Sequence, residues 1–382
     1  MNELRLTCPC AFGLESVLAG ELKRMDAREI AASDGRVDFS GGPEILARAN
    51  LWLRTAERVQ ILLGTFRATS FTQLFDGVAA LPLEEYIGKK DAFPVKGWSL
   101  SSQLHSIPDC QSIIKKAAVR RLEGAYGISW FEESGPTHQL QFSILKDQVT
   151  VMLDTSGPGL HKRGYRQMSN LAPIKETLAA GILDLARIFP DTQLYDPFCG
   201  SGTFLIEAAY KAKNVAPGLY RRFAAERWDQ LPGEIWRQER ERALSLVRTG
   251  EEVSFRGMGS DLSPEAVELS LSNAKKAQVG QLITACAADI RDFKVPEEKA
   301  IVVCNPPYGD RMLSVGEAQE LNRTMGRVFQ PSDHVGYYII SALEDFEEQF
   351  GRRADKRRKL YNGMVKCQLY MYLPQRPKER RG

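Results

Sequence analysis

The chain of 382 residues predicts an α/β protein of more than one domain, its rear half built on a largely parallel sheet closed by an antiparallel hairpin. Three observations predict this. First, the apolar stretch 194–196 passes through a glycine turn, Gly200-Ser201-Gly202, into the amphipathic run 204–212, the pattern of strand, tight loop and helix. Second, two further short stretches, 257–261 and 283–287, read as strands ending at or beside an acid, Asp261 and Asp289, and a helix begins at Pro264. Third, Asn362-Gly363 joins two strand patterns, 359–361 and 364–372, and this dipeptide favours a primed two-residue turn.

The front half alternates strands and helices in a different order. Strand 4–7, helix 14–23, a strand pair around Asp34-Gly35 reaching Phe39, and a helix from Pro43 to Leu53 make a compact α+β unit. A second unit begins at 61–66 and holds helix 71–80, a short helix near 83–87, strand 98–103, helix 110–122 and strands 140–145 and 149–154. In helix 110–122, Ile114, Ala118 and Leu122 line one face while Lys115, Lys116, Arg120 and Arg121 project elsewhere. The rear half opens with a helix near Pro173, its apolar spacing running to Ile188. The polar segment 213–257 reads as an inserted helical element over the rear sheet, with Trp228 and Trp236 as packing anchors. Strand 300–304, helix 317–328, strand 335–341 and a helix at 346–351 complete the set. The expected divisions are 1–66, 67–157, a linker 158–169 and 170–382.

Composition narrows the function classes. Hydrophobic residues make up 43% of the chain, yet no apolar run approaches the roughly 20 residues that span a bilayer. The N-terminus lacks a charged-then-apolar secretory pattern, so a cytoplasmic protein is expected. The seven cysteines sit mostly in apolar runs and read as reduced thiols. There is no Cys-x-x-Cys, Cys8-Pro9-Cys10 has the wrong spacing for a zinc corner, and the four histidines lie far apart, so no metal is expected. Net charge is only +3, which makes the distribution of cations more informative than their sum.

The glycine turn narrows the cofactor. A triphosphate loop needs Lys and Ser or Thr after its second glycine, whereas Thr203 is followed by Phe204 and Leu205. A dinucleotide fingerprint needs a third glycine where Leu205 stands, and here the acid, Asp196, comes ahead of the glycines. S-adenosylmethionine carries an ammonium and a sulfonium but no phosphate, and it suits that arrangement. The expected cofactor residues are Asp196, Phe198, Cys199, Gly200, Ser201, Gly202, Thr203, Asp261, Leu262, Asp289, Ile290 and Asn305. Among them Asp261 is placed to take both ribose hydroxyls and Asp289 the adenine amine, although both acids also suit helix caps or turns.

Strand 300–304 ends in Asn305-Pro306-Pro307-Tyr308, a stiff loop bearing an amide and an aromatic ring. It resembles the catalytic loop of methyltransferases that act on exocyclic amines. That resemblance implies that the Asn305 side-chain oxygen and the Pro306 carbonyl accept from the target amine while Tyr308 stacks on the base. Residues 67–155, above all the Ser-rich loop 101–106 and the Lys-Lys helix behind it, resemble the THUMP RNA-binding module.

Over nearly its full length the chain is similar to THUMP-containing RNA guanine-N2 methyltransferases, closest to those acting on bacterial 23S ribosomal RNA. The resemblance implies a ferredoxin-like domain, a THUMP domain and a class I Rossmann-like methyltransferase domain. The THUMP resemblance also implies Lys115, Lys116 and Arg120 as RNA contacts. Arg163 in the basic linker 160–166 and Arg357 and Arg358 in the cationic run 352–359 are further RNA-contact candidates by their charge, with a plain hinge and a solvated loop as the alternatives, and a monomer or weak dimer is expected. Two rivals stay open: a DNA adenine-N6 methyltransferase, which uses the same loop chemistry, and a catalytically silent RNA-binding assembly factor.

Overall fold

The computed structural model describes residues 3–166, 173–307 and 314–374. Its front half contains β1 (Leu4–Pro9), α1 (Glu15–Lys23), β2 (Arg28–Ser33), β3 (Arg36–Gly41), α2 (Pro43–Trp52), β4 (Gln60–Arg67), α3 (Phe71–Ala79), β5 (Val95–Leu100), α4 (Ile107–Tyr126), β6 (Leu140–Leu145) and β7 (Gln148–Asp154). These strands form one sheet in the order β2-β3-β1-β4-β7-β6-β5, so the two expected front units share a sheet. The seam is short: β1 meets β4 only through Leu6 opposite Ile61 and Thr7 opposite Gln60. From there β4 runs antiparallel along the length of β7.

Several boundaries differ from the sequence reading. The strand expected at 98–103 lies at Val95–Leu100, because Ser101 turns into the left-handed region at φ +52° and stops the ladder. Residues 83–87 hold only a single tight turn, Leu83–Glu85. The helix expected from Cys110 begins earlier, at Ile107, since Pro108 in the first turn has no hydrogen bond to lose, and it ends where Gly127 takes φ +67°.

The rear half contains α5 (Glu176–Ala186), β8 (Gln193–Asp196), α6 (Thr203–Ala212), α7 (Gly233–Ser245), β9 (Arg256–Asp261), α8 (Pro264–Lys276), β10 (Ile283–Ala287), β11 (Ala300–Cys304), α9 (Val315–Val328), β12 (Val335–Ser341), α10 (Phe346–Phe350), β13 (Lys356–Asn362) and β14 (Val365–Tyr372). The sheet order is β10-β9-β8-β11-β12-β14-β13. Strands β8 to β12 are parallel, and β14 runs antiparallel to both β12 and β13. All parallel strands therefore end along one edge, flanked by the turn between β13 and β14. The strand expected at 359–361 begins earlier, so that Lys356 to Lys359 stand on the edge strand β13, where charge also discourages strand addition.

The inserted segment does not cover the rear sheet as expected. Trp228 and Trp236 are buried in the front core, and α7 packs on α2. The Trp228 ring stacks on His138 with centroids 4.2 Å apart, and its Nε1 donates to the Thr137 carbonyl at 3.1 Å. Arg48 on α2 donates to both carboxylate oxygens of Glu239 at 3.0 and 2.7 Å. The insertion buries Trp228 and Trp236 in the front core and Ala243 in the rear core, and so it straps the two halves together.

Among the described residues no helix is long and apolar enough to cross a membrane, and no group of three His, Cys, Asp or Glu gathers as a metal site. None of the seven cysteines is joined in a disulfide, and only Cys286 is exposed.

Candidate active site at the carboxyl edge of the rear sheet

The glycine loop follows β8 at the centre of the rear sheet, and its shape is imposed by neighbours. Gly200 and Gly202 take φ +50° and +78°, conformations that side chains disfavour. A Cβ at Gly202 would also lie 2.4 Å from the Ser270 Oγ on α8. Four hydrogen bonds pin the loop. Cys199 N donates to Ser260 O at 2.9 Å, Gly202 N to Cys199 O at 2.7 Å, Gly200 N to Asp261 Oδ2 at 2.9 Å, and Asn273 Nδ2 to Ser201 O at 3.0 Å. Thr203 opens α6, and its Oγ1 receives a hydrogen bond from Arg166.

The three acids occupy different environments. Asp196 is buried and accepts from Phe198 N at 3.2 Å, and burial pushes its carboxyl up to about 8, with the Asp261 charge adding to the shift. Asp261 accepts from Gly200 N and, through Oδ1, from Ser263 N at 3.1 Å. Each of its oxygens keeps a second lone pair for a ligand. Asp289 is held by Arg291, whose side chain donates to both carboxylate oxygens, and these bonds lower its carboxyl to about 2. It also caps the following turn, so the alternative raised for it from sequence is present. Leu262 is 75% exposed beside Asp261, whereas Ile290 is buried. Burial, with the Asp196 and Asp261 charges, raises the Cys199 thiol, so this cysteine stays protonated and inert as a nucleophile.

Asn305 leaves β11, the strand next to β8, where Tyr195 lies opposite Val302. Neighbouring strands are about 4.8 Å apart, which sets Asn305 beside the glycine loop on the same edge. Its Oδ1 is buried and has no hydrogen-bond partner among the described residues. A buried amide oxygen left this way costs about 1–3 kcal/mol unless a ligand completes it. Pro306 is buried next to it, and Tyr308 lies outside the described residues.

The expected cationic contacts divide. Lys116 and Arg120 are exposed on α4. Lys115 is partly engaged, with its Nζ 2.5 Å from Glu133 and 3.4 Å above the Phe93 ring. Arg357 is exposed and pairs with Glu347 at 3.1 Å. Arg358 reaches back to the front half, donating to Gly13 O at 2.6 Å and to Ser16 Oγ at 2.7 Å. The expectation for Arg163 is overturned. Its side chain is buried against Glu207, bonds to Arg54 O and Leu160 O, and reaches no surface where a phosphate could sit.

Reading the sequence did not find Asn273, Ser270 or Arg166. The first two carry a faint signal, since they are polar positions on the helix face otherwise made of Ala266, Val267 and Ala274. Arg166 carries none, because its link to Thr203 exists only in the folded chain.

The family model described as "RMKL-like, methyltransferase domain" matches residues 163–371. The chain belongs to this family. Models of the RlmL ferredoxin-like domain and the THUMP domain match residues 5–60 and 68–154. The relative named "Putative RNA methyltransferase YpsC", from Bacillus subtilis (strain 168), is 38% identical to this RMKL-like methyltransferase, over 99% of each chain. A crystal structure described as that of "SMU.472, a putative methyltransferase complexed with SAH" is 38% identical with a TM-score of 0.92, covering 99% of this chain and 100% of the other. A Listeria monocytogenes str. 4b F2365 protein, described as a "predicted N6-adenine-specific DNA methylase", is 41% identical with a TM-score of 0.90, covering 98% of this chain and 97% of its own.

Proposed function

We propose that this methyltransferase transfers a methyl group from S-adenosylmethionine to the exocyclic N2 amine of a guanine in RNA, with 23S ribosomal RNA as the substrate. The observation that carries the reading is the buried, unpartnered Asn305 Oδ1 one strand away from a glycine loop pinned to the ribose-side acid Asp261. The residues fit the cofactor. The loop offers no lysine for phosphate, and Asp196 is a buried carboxyl with no cation beside it among the described residues. The THUMP match and the name of the Bacillus relative support RNA, and the SAH in SMU.472 supports the cofactor.

When bound, S-adenosylmethionine supplies an electrophilic methyl on a sulfonium. The chain's residues position the other reactant. A guanine amine is a weak nucleophile because its lone pair is delocalised into the ring. Asn305 Oδ1 and the Pro306 carbonyl would accept its two N–H groups, which aims the nitrogen and disperses the positive charge that it gains as the sulfonium gives up its methyl and becomes a neutral thioether; the surplus N–H proton then leaves to water. The two prolines hold those acceptors still. Asp261 accepts from the ribose hydroxyls through its remaining lone pairs, and Asp196 balances the cofactor's ammonium. The target base is reached only when unstacked, since Asn305 Oδ1 and Pro306 are buried at the sheet edge.

Methyl transfer from labelled S-adenosylmethionine to total RNA and to genomic DNA, followed by nucleoside mass analysis, tests the proposal. N2-methylguanosine in large-subunit RNA is the expected product. N6-methyladenine in DNA would replace the reading with the activity described for the Listeria relative. Tight cofactor binding with neither product would favour a silent RNA-binding factor.

A further inference from the structure

Where the front half meets the rear sheet, a cavity of about 360 Å³ opens between Cys10, Phe12, Glu57, Lys175, Tyr361 and Gly363. We infer that this seam is a seat for an unpaired base of the substrate RNA, a few nucleotides from the one methylated, with Phe12 and Tyr361 as its stacking surfaces and Lys359 facing an adjoining phosphate. The inference rests on the RNA reading above and adds a second contact point outside the catalytic recess.

The chemistry of the walls suits such an occupant. Phe12 and Tyr361 meet edge to face, with centroids 5.7 Å apart and planes at 84°. Lys359 Nζ lies 5.5 Å from both ring centroids. Phe12 is 40% exposed, so part of its ring is open to a ligand. Aromatic faces beside ammonium groups are what single-stranded nucleic acid binds, because every base has a face to stack and every linkage a charge. The one acid in the wall does not oppose this. Glu57 accepts from Thr177 at 2.7 Å and pairs with Lys175 at 3.3 Å, so that lysine meets its charge and Lys359 is left for a phosphate.

The seat is rigid and stands on the catalytic edge. Gly13 takes φ +92°, and a Cβ there would lie 2.2 Å from the Lys359 carbonyl, so only glycine lets this loop press onto β13. Arg358 then fixes it through Gly13 O and Ser16. Strand β14 is antiparallel to β12, with Gln368 opposite Ser341, which puts the turn at 362–364 at the carboxyl end of the parallel strands. Arg166 ties the segment before Lys175 to the glycine loop, donating to Ile174 O at 3.2 Å and to Thr203. From β11, which carries Asn305, β14 and β13 are two and three strands away, roughly 10 and 14 Å at 4.8 Å per strand. That is too far for the target base itself and suits its neighbours.

The test uses the full chain. With total RNA and labelled S-adenosylmethionine, Phe12→Leu and Tyr361→Ala are expected to raise the RNA KM about 5- to 100-fold, the range for removing one stacked ring. At saturating RNA, kcat is expected within about twofold of wild type, and Tyr361→Phe to match wild type throughout. A short single-stranded oligoribonucleotide carrying 2-aminopurine is expected to lose fluorescence on binding wild type and to keep it with Phe12→Leu, which retains apolar bulk without a ring. Unchanged KM and quenching in Phe12→Leu would overturn the seat and leave the seam to structural or protein contacts. Wild-type protein that labels no RNA at all would overturn the function reading instead, while the quenching assay still reports on the seat.

Discussion

Gly200 N donates to Asp261 Oδ2 at 2.9 Å, so the acid at the end of β9 holds the glycine loop of β8 as well as facing the ligand edge. In the proposed site one side chain would thereby couple loop shape to cofactor contact. Asp261→Ala is expected to weaken S-adenosylhomocysteine binding about 10- to 100-fold, the range for losing a charge-assisted hydrogen bond. It should also lower the melting temperature of the unliganded protein by several degrees. Calorimetric titration beside thermal unfolding separates the two, and unchanged affinity would remove Asp261 from the ribose site.

Asn305→Ala is expected to lower kcat about 10²- to 10³-fold, as for loss of one preorganised polar group around a developing charge. The affinity for S-adenosylhomocysteine should stay within about threefold. Because the Oδ1 is unpartnered among the described residues, removing it relieves a buried polar group, so the unliganded protein should not be destabilised. Lost stability would show that Asn305 supports the fold rather than the reaction.

Arg163 gives the opposite signature. Its pairing with Glu207 is buried on both sides, and Arg163→Ala leaves that carboxylate uncompensated at a cost of about 3–5 kcal/mol. Chemical denaturation should report this loss, while RNA affinity of the molecules that remain folded is unchanged. A fall in RNA affinity without a fall in stability would restore Arg163 as an RNA contact.

Lys116 and Arg120 are the cations of α4 that the fold leaves exposed. Changing both to Gln is expected to raise the RNA KM and to reduce the slope of log affinity against log salt by about one for each phosphate no longer neutralised. An unaltered slope would make this face ordinary solvated charge.

How much of this was legible in the sequence depends on how local the cause was. Strands 140–145, 283–287, 300–304 and 335–341 coincide with β6, β10, β11 and β12, because apolar runs bounded by polar turns fix them without outside help. Asp196, Gly200, Gly202, Asp261 and Asn305 come to one edge because parallel strands all end there. The destination of Trp228 and Trp236 was not legible. Their spacing shows a buried face but not whether the front helix or the rear sheet buries it. Arg163 misled for the same reason: in Lys162-Arg163 both residues look alike, and only the position of Glu207 on α6 decides that one is buried. Asp289 lies between these cases, its position foreseen and its bond to Arg291 not.

Asp196 offers a test in which the sign of a pH effect decides the role. In the fold its carboxyl sits at about 8, whereas an unfolded aspartate titrates near about 3.9. Between those values the folded chain holds a proton that the unfolded chain has lost. Stability from this group is therefore full below about pH 4, falls as pH rises through the window and levels off above about 8. A ligand ammonium beside the carboxylate favours the ionised form, so cofactor binding must expel that proton. Between about pH 5.5 and 7.5, affinity for S-adenosylhomocysteine should then rise up to tenfold per unit. Asp196→Asn should flatten both dependences, weaken binding at pH 7.5 and leave the unliganded protein more stable at that pH than wild type. Titrations in buffers of different ionisation heat count the released proton directly, and a count of zero for the wild type would mean that Asp196 never meets the cofactor's charge.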